Sequence, residues 1–293
     1  MVWDWIIASY LFLAGMGAGA FALAALASFV KPELKKLRMA GYVIAPVAVV
    51  VGCVMLMVDA KGGLFDPLRF FFIVSNLQSV MSWGVIILCL FIMVSVVALA
   101  VMLKKGSTPK ALDAVGVALS VCVAAYTGVL LGAAPAYPLW HPVVLPLLFV
   151  VSAASSGFAA VLLVTHLRGS HEPSQLGLLK KTGIALPVLE AVLVAVLFAV
   201  ASATTGSAAE AALASVTNML SGSYAVAFWV GFVVVGLAVP LAIEVPHRHR
   251  AADAEEGSRD GLAIVGEACV LVGAFMLRYL VIMAAVPMFG ALV

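Results

Sequence analysis

Two tyrosines and one aspartate lie at a similar depth in three otherwise apolar segments of this sequence. Tyr10 lies in the first apolar segment, Asp59 ends the second, and Tyr126 lies in the fourth. A tyrosine hydroxyl can donate a hydrogen bond to a carbonyl oxygen, and a carboxylate can accept a proton. This combination suits a quinone, whose reduction takes up protons and whose oxidation releases them. The alternative is that the hydroxyls only bond to backbone carbonyls where helices cross.

Three further ionisable residues lie inside apolar segments, Glu190 in the sixth and Glu267 and Arg278 in the eighth. Such groups are costly within a bilayer and are therefore functional candidates. A helix rises about 1.5 Å per residue, so Glu190 and Glu267 are expected about 7–10 Å from the inner membrane boundary. By the same rise, Arg278 is expected about 12 Å from the outer boundary. The three are candidates for a proton path. The alternative is a buried pair, Glu190 and Glu267, that shares a proton or bonds to a neighbouring helix.

The histidines and cysteines argue against a haem or an iron–sulfur cluster in this chain. Four of the five histidines fall at segment ends or in connections on one side, so two inward-facing histidines at matching depth are lacking; these four are His166, His171, His247 and His249. The four cysteines lie inside apolar segments and form no CxxC pair. We therefore expect no haem, cluster or metal. His141, at the opposite boundary, is a weaker candidate for contact with the quinone or a partner subunit.

The elements that must position these residues are transmembrane helices. The chain is 65% hydrophobic and only 10% charged, and a bilayer span needs about 20 mostly apolar residues. The sequence therefore predicts an all-α integral membrane protein with eight transmembrane helices. They are expected at 5–30, 38–59, 80–103, 110–133, 141–167, 183–204, 224–245 and 262–286. The longest connections, 205–223 and 246–261, are too short for a core of their own.

The orientation of these helices follows from the positive charges. Thirteen Lys and Arg residues fall in the connections 31–38, 104–110, 168–181 and 246–261, against two, Lys61 and Arg69, on the other side. Positive residues concentrate in cytoplasmic loops. We therefore expect these four connections in the cytoplasm and both termini outside.

A charged stretch on the expected outer face, "DAKGGLFDPLRFFF" at residues 59–72, predicts a docking surface. Its candidate docking residues are Lys61, Asp66 and Arg69. All five tryptophans also fall at or near this face, whereas an aromatic belt normally marks both interfaces; they are Trp3, Trp5, Trp83, Trp140 and Trp229. The alternative is an amphipathic interfacial loop without chemistry.

Five short stretches of the sequence, taken together, resemble one family. They are "YLFLAGMGAGAF" at 10–21, "DAKGGLFDPLRF" at 59–70, "NLQSVMSWG" at 76–84, "YTGVLLG" at 126–132 and "GAFMLRY" at 273–279. Their order and spacing resemble the NrfD/PsrC-type membrane subunit of polysulfide reductase and its relatives over nearly the whole chain. One departure is that Ser9 and Tyr10 stand where some members carry Asn and His.

The resemblance implies a haem-free membrane anchor in the cytoplasmic membrane of a prokaryote. It implies two four-helix bundles, residues 1–133 with the quinone site and residues 134–293. Tyr126 would lie close to the quinone ring, with menaquinone the expected type. Electrons would pass between the quinone and an outer, ferredoxin-like iron–sulfur subunit, which connects to a molybdopterin catalytic subunit. Terminal catalysis would then take place on another subunit.

Two other functions fit the composition. A small-solute transporter commonly has helices broken near the midplane, and Pro46, Pro146, Pro187 and Pro240 could break helices here. The other alternative is a structural anchor without a ligand.

The glycines of "GMGAGA", at residues 15–20, are interpreted as helix-packing positions rather than as a nucleotide motif, because they lie inside an apolar run and four residues apart.

Overall fold

The protein is a bundle of long helices, seen in a computed structural model that describes residues 4–59, 76–169, 177–249 and 256–288. The helices in these ranges are α1 Trp5–Val30, α2 Lys35–Asp59, α3 Val80–Lys105, α4 Lys110–Gly132, α5 Val144–Leu167, α6 Gly177–Ser202, α7 Ala209–Leu220, α8 (a π-helical part Ala227–Ala238 and an α-helical part Val239–His249) and α9 Glu256–Met283. Among the described residues, eight of these helices, all but α7, are long and apolar enough to cross a membrane. The predicted all-α class and the eight spans are confirmed.

Helix ends follow local signals. The Asp4 carboxylate accepts a hydrogen bond from the backbone N–H of Ile6 and caps the start of α1, at 2.9 Å. Helix α3 ends at Gly106, whose φ of 69° is the left-handed conformation that glycine adopts without strain. Lys104 and Lys105 lie in the last turn of α3, where positive charge interacts favourably with the helix dipole.

Each long helix contacts a small set of neighbours. Helix α1 packs against α2, α4, α5 and α9, while α3 packs against α2 and α4. Helix α5 packs against α1, α4, α6 and α9, and α9 packs against α8. Helices α1 and α5 therefore join an α1–α4 side to an α5, α6, α8 and α9 side. The division into bundles of residues 1–133 and 134–293 stays a prediction, as does the outward position of the termini.

Small residues allow α1 and α5 to touch through their backbones. A methyl group added at Gly19 would collide with the carbonyl oxygen of Ala153, and one added at Gly157 would collide with the backbone of Gly19 and Ala20. Such close approach is the role of small residues four apart in membrane helices. The predicted packing role of this glycine stretch is confirmed.

The prolines do not break the spans that contain them. Pro46 lies inside α2 and Pro187 inside α6, and both helices continue through them. Pro146 is in the first turn of α5, where its missing N–H would have no helical partner. Pro240 follows the change from π- to α-helical winding in α8. In the described ranges these positions do not show the broken helices that the transporter interpretation needs.

One connection holds more structure than expected. The stretch 205–223 contains α7, whose Ala211, Ala212, Ser215, Val216 and Met219 are buried. The Ser215 hydroxyl accepts a hydrogen bond from the backbone N–H of Val286, at 2.8 Å. Helix α7 therefore fastens the segment that follows α9.

A polar cluster lies buried at the end of the bundle that carries the Lys/Arg-rich connections, here called the basic end. The Tyr42 hydroxyl donates to one Asp113 oxygen at 2.6 Å, and the Thr108 hydroxyl donates to the other at 2.7 Å. The Arg38 guanidinium donates to Thr108 at 3.3 Å and to the carbonyl oxygen of Pro32 at 2.8 Å. From the sequence, Arg38 was expected to be a loop charge. The structure instead buries it, together with Asp113, in a network that joins α2 to α4.

This network predicts a measurable loss of stability in Tyr42→Phe. The ring stays in place, but Asp113 loses the shorter of its two hydroxyl donors. A buried acceptor left short of a partner costs about 1–3 kcal/mol. Thermal unfolding of the purified protein in detergent is expected to show a lower midpoint. Tyr137→Phe is the control because Tyr137 stacks on Trp140 through its ring, at 4.1 Å, away from the network. Equal midpoints for both variants would contradict the prediction.

Candidate functional site

Tyr10 and Tyr126 lie close together inside the α1–α4 side. Both are buried, with 1% and 8% of their surface exposed, and each is near enough to the other to interact electrostatically. Gly52 of α2 lies beside the Tyr10 ring, and Gly84 of α3 lies directly against the phenol of Tyr126. Four helices therefore meet at this pair. The structure brings together the two tyrosines that were expected at one depth.

The hydroxyl groups of this pair are its most informative feature. Both tyrosine residues are buried, yet within the described part of the protein neither hydroxyl makes a hydrogen bond. Buried tyrosine hydroxyls usually find a partner, because an unpaired polar group in an apolar environment costs free energy. The alternative, in which the hydroxyls cap backbone carbonyls at helix crossings, is not what the described residues show.

Asp59 and His141 lie differently from the tyrosine pair. Asp59 is half-buried at the end of α2, seven residues beyond Gly52 and so about 10 Å farther along the helix axis. His141 uses its Nδ1 atom to accept from the backbone N–H groups of Val143 and Val144, at 3.3 and 3.4 Å. The structure thus gives His141 a helix-capping role at the start of α5, and it places Asp59 at the end of α2, away from the tyrosine pair.

The predicted docking residues, Lys61, Asp66 and Arg69, lie outside the described residues, as does Trp3. Trp5, Trp83 and Trp229 are about half exposed, as an interfacial or docking role requires. Trp140 is buried instead and donates a hydrogen bond to the carbonyl oxygen of Val281 at 2.8 Å. This tryptophan connects the α4–α5 connection to α9 rather than presenting a surface.

A second group of functional side chains surrounds Arg278 in the α5, α6, α8 and α9 side. Its Nη1 atom donates to the Ser152 hydroxyl at 2.9 Å and to the Ala274 carbonyl at 3.0 Å, while Nε and Nη2 make no hydrogen bond within the described ranges. The guanidinium lies 5.9 and 5.3 Å from the ring centroids of Phe12 and Phe149. A methyl group at Gly15 would lie 2.5 Å from Nη2. The absence of a side chain at Gly15 thus makes room for the charge at the α1–α5–α9 junction.

Glu190 lies close enough to Arg278 for their charges to interact, although the two side chains are not within ion-pair distance. The two side chains interact electrostatically, and Glu190 also faces the hydroxyls of Ser152 and Ser155. Glu190 is 3% exposed, and its Oε1 atom has no hydrogen-bond partner among the described residues. Glu190 therefore has other neighbours than Glu267, and its predicted distance from the membrane boundary stays a prediction.

Glu267 has a different partner and a different level. One of its carboxylate oxygens lies 2.8 Å from Nδ1 of His166, near the basic end. Glu267 and Arg278 are eleven residues apart on α9, which corresponds to about 16 Å. His166 and Glu267 both line a cavity of about 240 Å³ between α5, α6, α8 and α9, and Glu244 lines it as well. His166, which the sequence places at the end of an apolar segment, therefore lines an internal cavity.

Comparison with known proteins places these features in a family. The family described as "Polysulphide reductase, NrfD" matches residues 1–290. The protein belongs to the NrfD family. It is 32% identical to the C subunit of polysulfide reductase from Wolinella succinogenes, over 99% of the present sequence and 96% of that protein. It is 30% identical to protein NrfD of Escherichia coli K12, over 97% of the present sequence and 95% of that protein.

Family membership and the eight membrane-spanning helices identify this NrfD-family member as a multi-pass membrane protein. The named relatives support a membrane subunit of a respiratory oxidoreductase complex.

Three residues that contact the candidate site residues were not predicted from the sequence: Gly84, Ser152 and Ser155. Gly84 lies in the quoted "NLQSVMSWG" stretch, so the family resemblance could have indicated that its position matters. Nothing in the sequence indicated a role for the two serines, because serine is common in membrane helices.

Proposed function

We propose that this protein is the quinone-reactive membrane subunit of its complex, with the quinone headgroup bound beside Tyr10 and Tyr126. The observation that carries the proposal is the pair of neighbouring, buried tyrosines whose hydroxyls make no hydrogen bond with the described residues. A quinone carbonyl is a hydrogen-bond acceptor and would satisfy such a donor. The apolar walls around the pair suit the ring, since small-molecule sites are mostly apolar with a few placed polar groups.

The chemistry assigned to these residues is binding and proton handling. Oxidation of a quinol releases two electrons and two protons. The tyrosine hydroxyls would hold and orient the ring oxygens, and Asp59, about 10 Å farther along α2, would accept a proton on its way out. His141 is the weaker candidate, because its Nδ1 atom is already occupied by the α5 backbone.

The electron partner in this proposal is a ferredoxin-like iron–sulfur subunit on the outer face. It would dock on the stretch 59–72 through Lys61, Asp66 and Arg69, and would connect to a molybdopterin catalytic subunit. The relative from Wolinella succinogenes is named as one lettered subunit of polysulfide reductase, which supports a complex of several subunits. Menaquinone is the proposed quinone, and the cytoplasmic membrane of a prokaryote the proposed location.

Tyr126→Phe tests the quinone site. The substitution removes one hydroxyl and keeps the ring against Gly84. Loss of a ligand hydrogen bond costs on the order of 1 kcal/mol, and more if the ligand oxygen stays buried and unpaired. Quinol-dependent reduction by the assembled complex is therefore expected to fall several-fold or more. The same preparation, supplied with an artificial donor to the catalytic subunit, is expected to keep its rate.

Tyr224→Phe is the matched control. Tyr224 packs edge-on against Tyr279, with ring centroids 6.2 Å apart, on the side of the molecule that contains α8 and α9. Its substitution is expected to leave quinol turnover unchanged. If Tyr224→Phe lowers turnover while Tyr126→Phe does not, the quinone binds on the other side of the molecule. Unchanged turnover in both variants would remove the tyrosine pair from the site.

A further inference from the structure

Net positive charge is concentrated in two of the four connections at the basic end. Each of the four contains three or four Lys and Arg residues, so the signal that orients the helices is spread evenly among them. The acidic residues are not: the connections 31–38 and 104–110 contain one between them, Glu33, whereas 246–261 contains four. The first two connections therefore carry a net positive charge that the orientation of the helices does not require.

These two connections lie against each other in the structure. The Thr108 hydroxyl lies 3.5 Å from the Ser28 hydroxyl and 3.0 Å from the Tyr42 hydroxyl. It also accepts a hydrogen bond from Arg38 at 3.3 Å. The end of α1 and the start of α2 are thus joined to the turn between α3 and α4. Six exposed or half-buried lysines on these two connections form one region, here called the lysine surface: Lys31, Lys35, Lys36, Lys104, Lys105 and Lys110.

The buried network under the lysine surface holds its two connections in place. Asp113 accepts hydrogen bonds from Tyr42 and Thr108, and Arg38 donates to the carbonyl oxygen of Pro32. Arg38 and Asp113 are both buried and offset each other's charge, so the net charge of the region comes from the lysines. Because the turns are ordered before any ligand binds, less conformational entropy is lost on binding.

Exposed apolar side chains lie next to the lysines on the side of the bilayer core. Val30 directly precedes Lys31, and Leu103 directly precedes Lys104; 61% and 65% of their surfaces are exposed. At the end of a transmembrane helix such side chains contact acyl chains. A ligand with phosphate at the level of the lysines and acyl chains at the level of Val30 and Leu103 matches both features. Basic regions at the cytoplasmic ends of membrane helices bind lipid headgroups of this kind.

We propose that the lysine surface binds diphosphatidylglycerol, an anionic phospholipid with two phosphate groups. Adjacent lysines occur once on each of the two connections, at 35–36 and at 104–105, so each phosphate can be bound by one lysine pair. A lipid with a single phosphate engages only one of these pairs. The site is separate from the proposed quinone site, because Tyr10 and Lys31 are 21 residues apart along α1, which corresponds to about 31 Å.

The test measures lipid binding to the delipidated full-length protein in detergent, by titration followed with native mass spectrometry and by thermal unfolding. Diphosphatidylglycerol is expected to bind as one molecule and to raise the unfolding midpoint more than phosphatidylglycerol, phosphatidylcholine or inorganic phosphate at equal phosphate concentration. Lys104→Gln/Lys105→Gln removes one lysine pair. Its affinity for diphosphatidylglycerol is expected to fall about 25-fold, about fivefold for each lysine lost near an anionic headgroup.

Two further double variants complete the test. Lys35→Gln/Lys36→Gln removes the other lysine pair and is expected to cause a similar loss, even if Lys104→Gln/Lys105→Gln misfolds. Lys180→Gln/Lys181→Gln is the matched control, because it removes an adjacent lysine pair at the start of α6, and it should bind the lipid like the unchanged protein. Equal losses in all three variants, or equal protection by phosphatidylglycerol or inorganic phosphate, would overturn the proposal. No quinone or partner subunit is needed, so a failed quinone proposal leaves these results unaffected.

Discussion

Gly19→Ala is expected to destabilise the protein by about 3 kcal/mol or more, at or beyond the upper end of ordinary overpacking costs. The added methyl group would collide with the carbonyl oxygen of Ala153, and that atom belongs to the backbone of α5. A flexible side chain could turn away, but a helix backbone cannot, so α1 and α5 would have to separate. Unfolding of the purified protein in detergent or bicelles measures the loss.

The consequence extends beyond one contact because the α1–α5 junction also holds Arg278. The guanidinium occupies the space beside Gly15, one turn from Gly19. Separation of the helices would expose this charge to lipid or water. We therefore expect Gly19→Ala to lower the yield of folded protein in membranes as well as its stability after purification.

Gly261→Ala provides the matched control for this prediction. Gly261 is an exposed residue of α9, and an added methyl group there meets no atom within 4 Å. Alanine favours the helical conformation over glycine by about 1 kcal/mol. The same chemical change should therefore be neutral or slightly stabilising. A loss of similar size at both positions would show that the effect of Gly19→Ala does not come from helix separation.

Much of the fold could be predicted from the sequence because long apolar runs are its strongest signal. The third predicted span, 80–103, agrees with α3 at Val80–Lys105 within two residues. The meeting of Tyr10 and Tyr126 followed from their matching depths in spans that run in opposite directions. Depth is readable from a sequence, since each helical residue advances about 1.5 Å.

The direction in which a side chain points around its helix axis could not be predicted from the sequence in the same way. Which neighbour Glu190 meets depends on how α5, α6 and α9 rotate against each other, and packing sets that rotation. The predicted boundary at residue 183 agrees with the apolar span Thr182–Ser202, so what the sequence could not give is the set of side chains that Glu190 faces, not the position of the span.

Arg38 shows the same difficulty at the basic end. As the last residue of a lysine-rich connection, it was counted only as a topological signal. In the structure it is 1% exposed and hydrogen-bonded to Thr108 and to the Pro32 carbonyl. A residue can thus contribute to the charge bias and also form part of a buried network. Only the position of α4, which brings Thr108 and Asp113 to it, distinguishes the two roles.

Arg278→Met is expected to have an effect as large as that of Gly19→Ala. The substitution keeps an unbranched apolar side chain beside Phe12 and Phe149 but leaves Glu190 as a buried carboxyl group without its counter-charge. Breaking a buried ion pair typically costs about 3–5 kcal/mol, and we expect about 3 kcal/mol here because Glu190 and Arg278 are not in direct contact. Unfolding in detergent should show this loss, and Ser152 should lose its guanidinium donor at the same time.

The double variant Arg278→Met/Glu190→Leu decides whether the pair itself is the cause. Replacing both members of a buried ion pair by apolar residues is often neutral, because neither charge then has to be desolvated. The double variant is therefore expected to recover most of the stability that Arg278→Met loses, although Glu190→Leu alone should also be destabilising because it leaves the arginine buried. In a double-mutant cycle this recovery appears as a coupling energy well above about 0.5 kcal/mol, the scatter between independent sites. If the losses of the two single variants simply add, Glu190 and Arg278 do not depend on each other, and the charge of Arg278 must be balanced by another group.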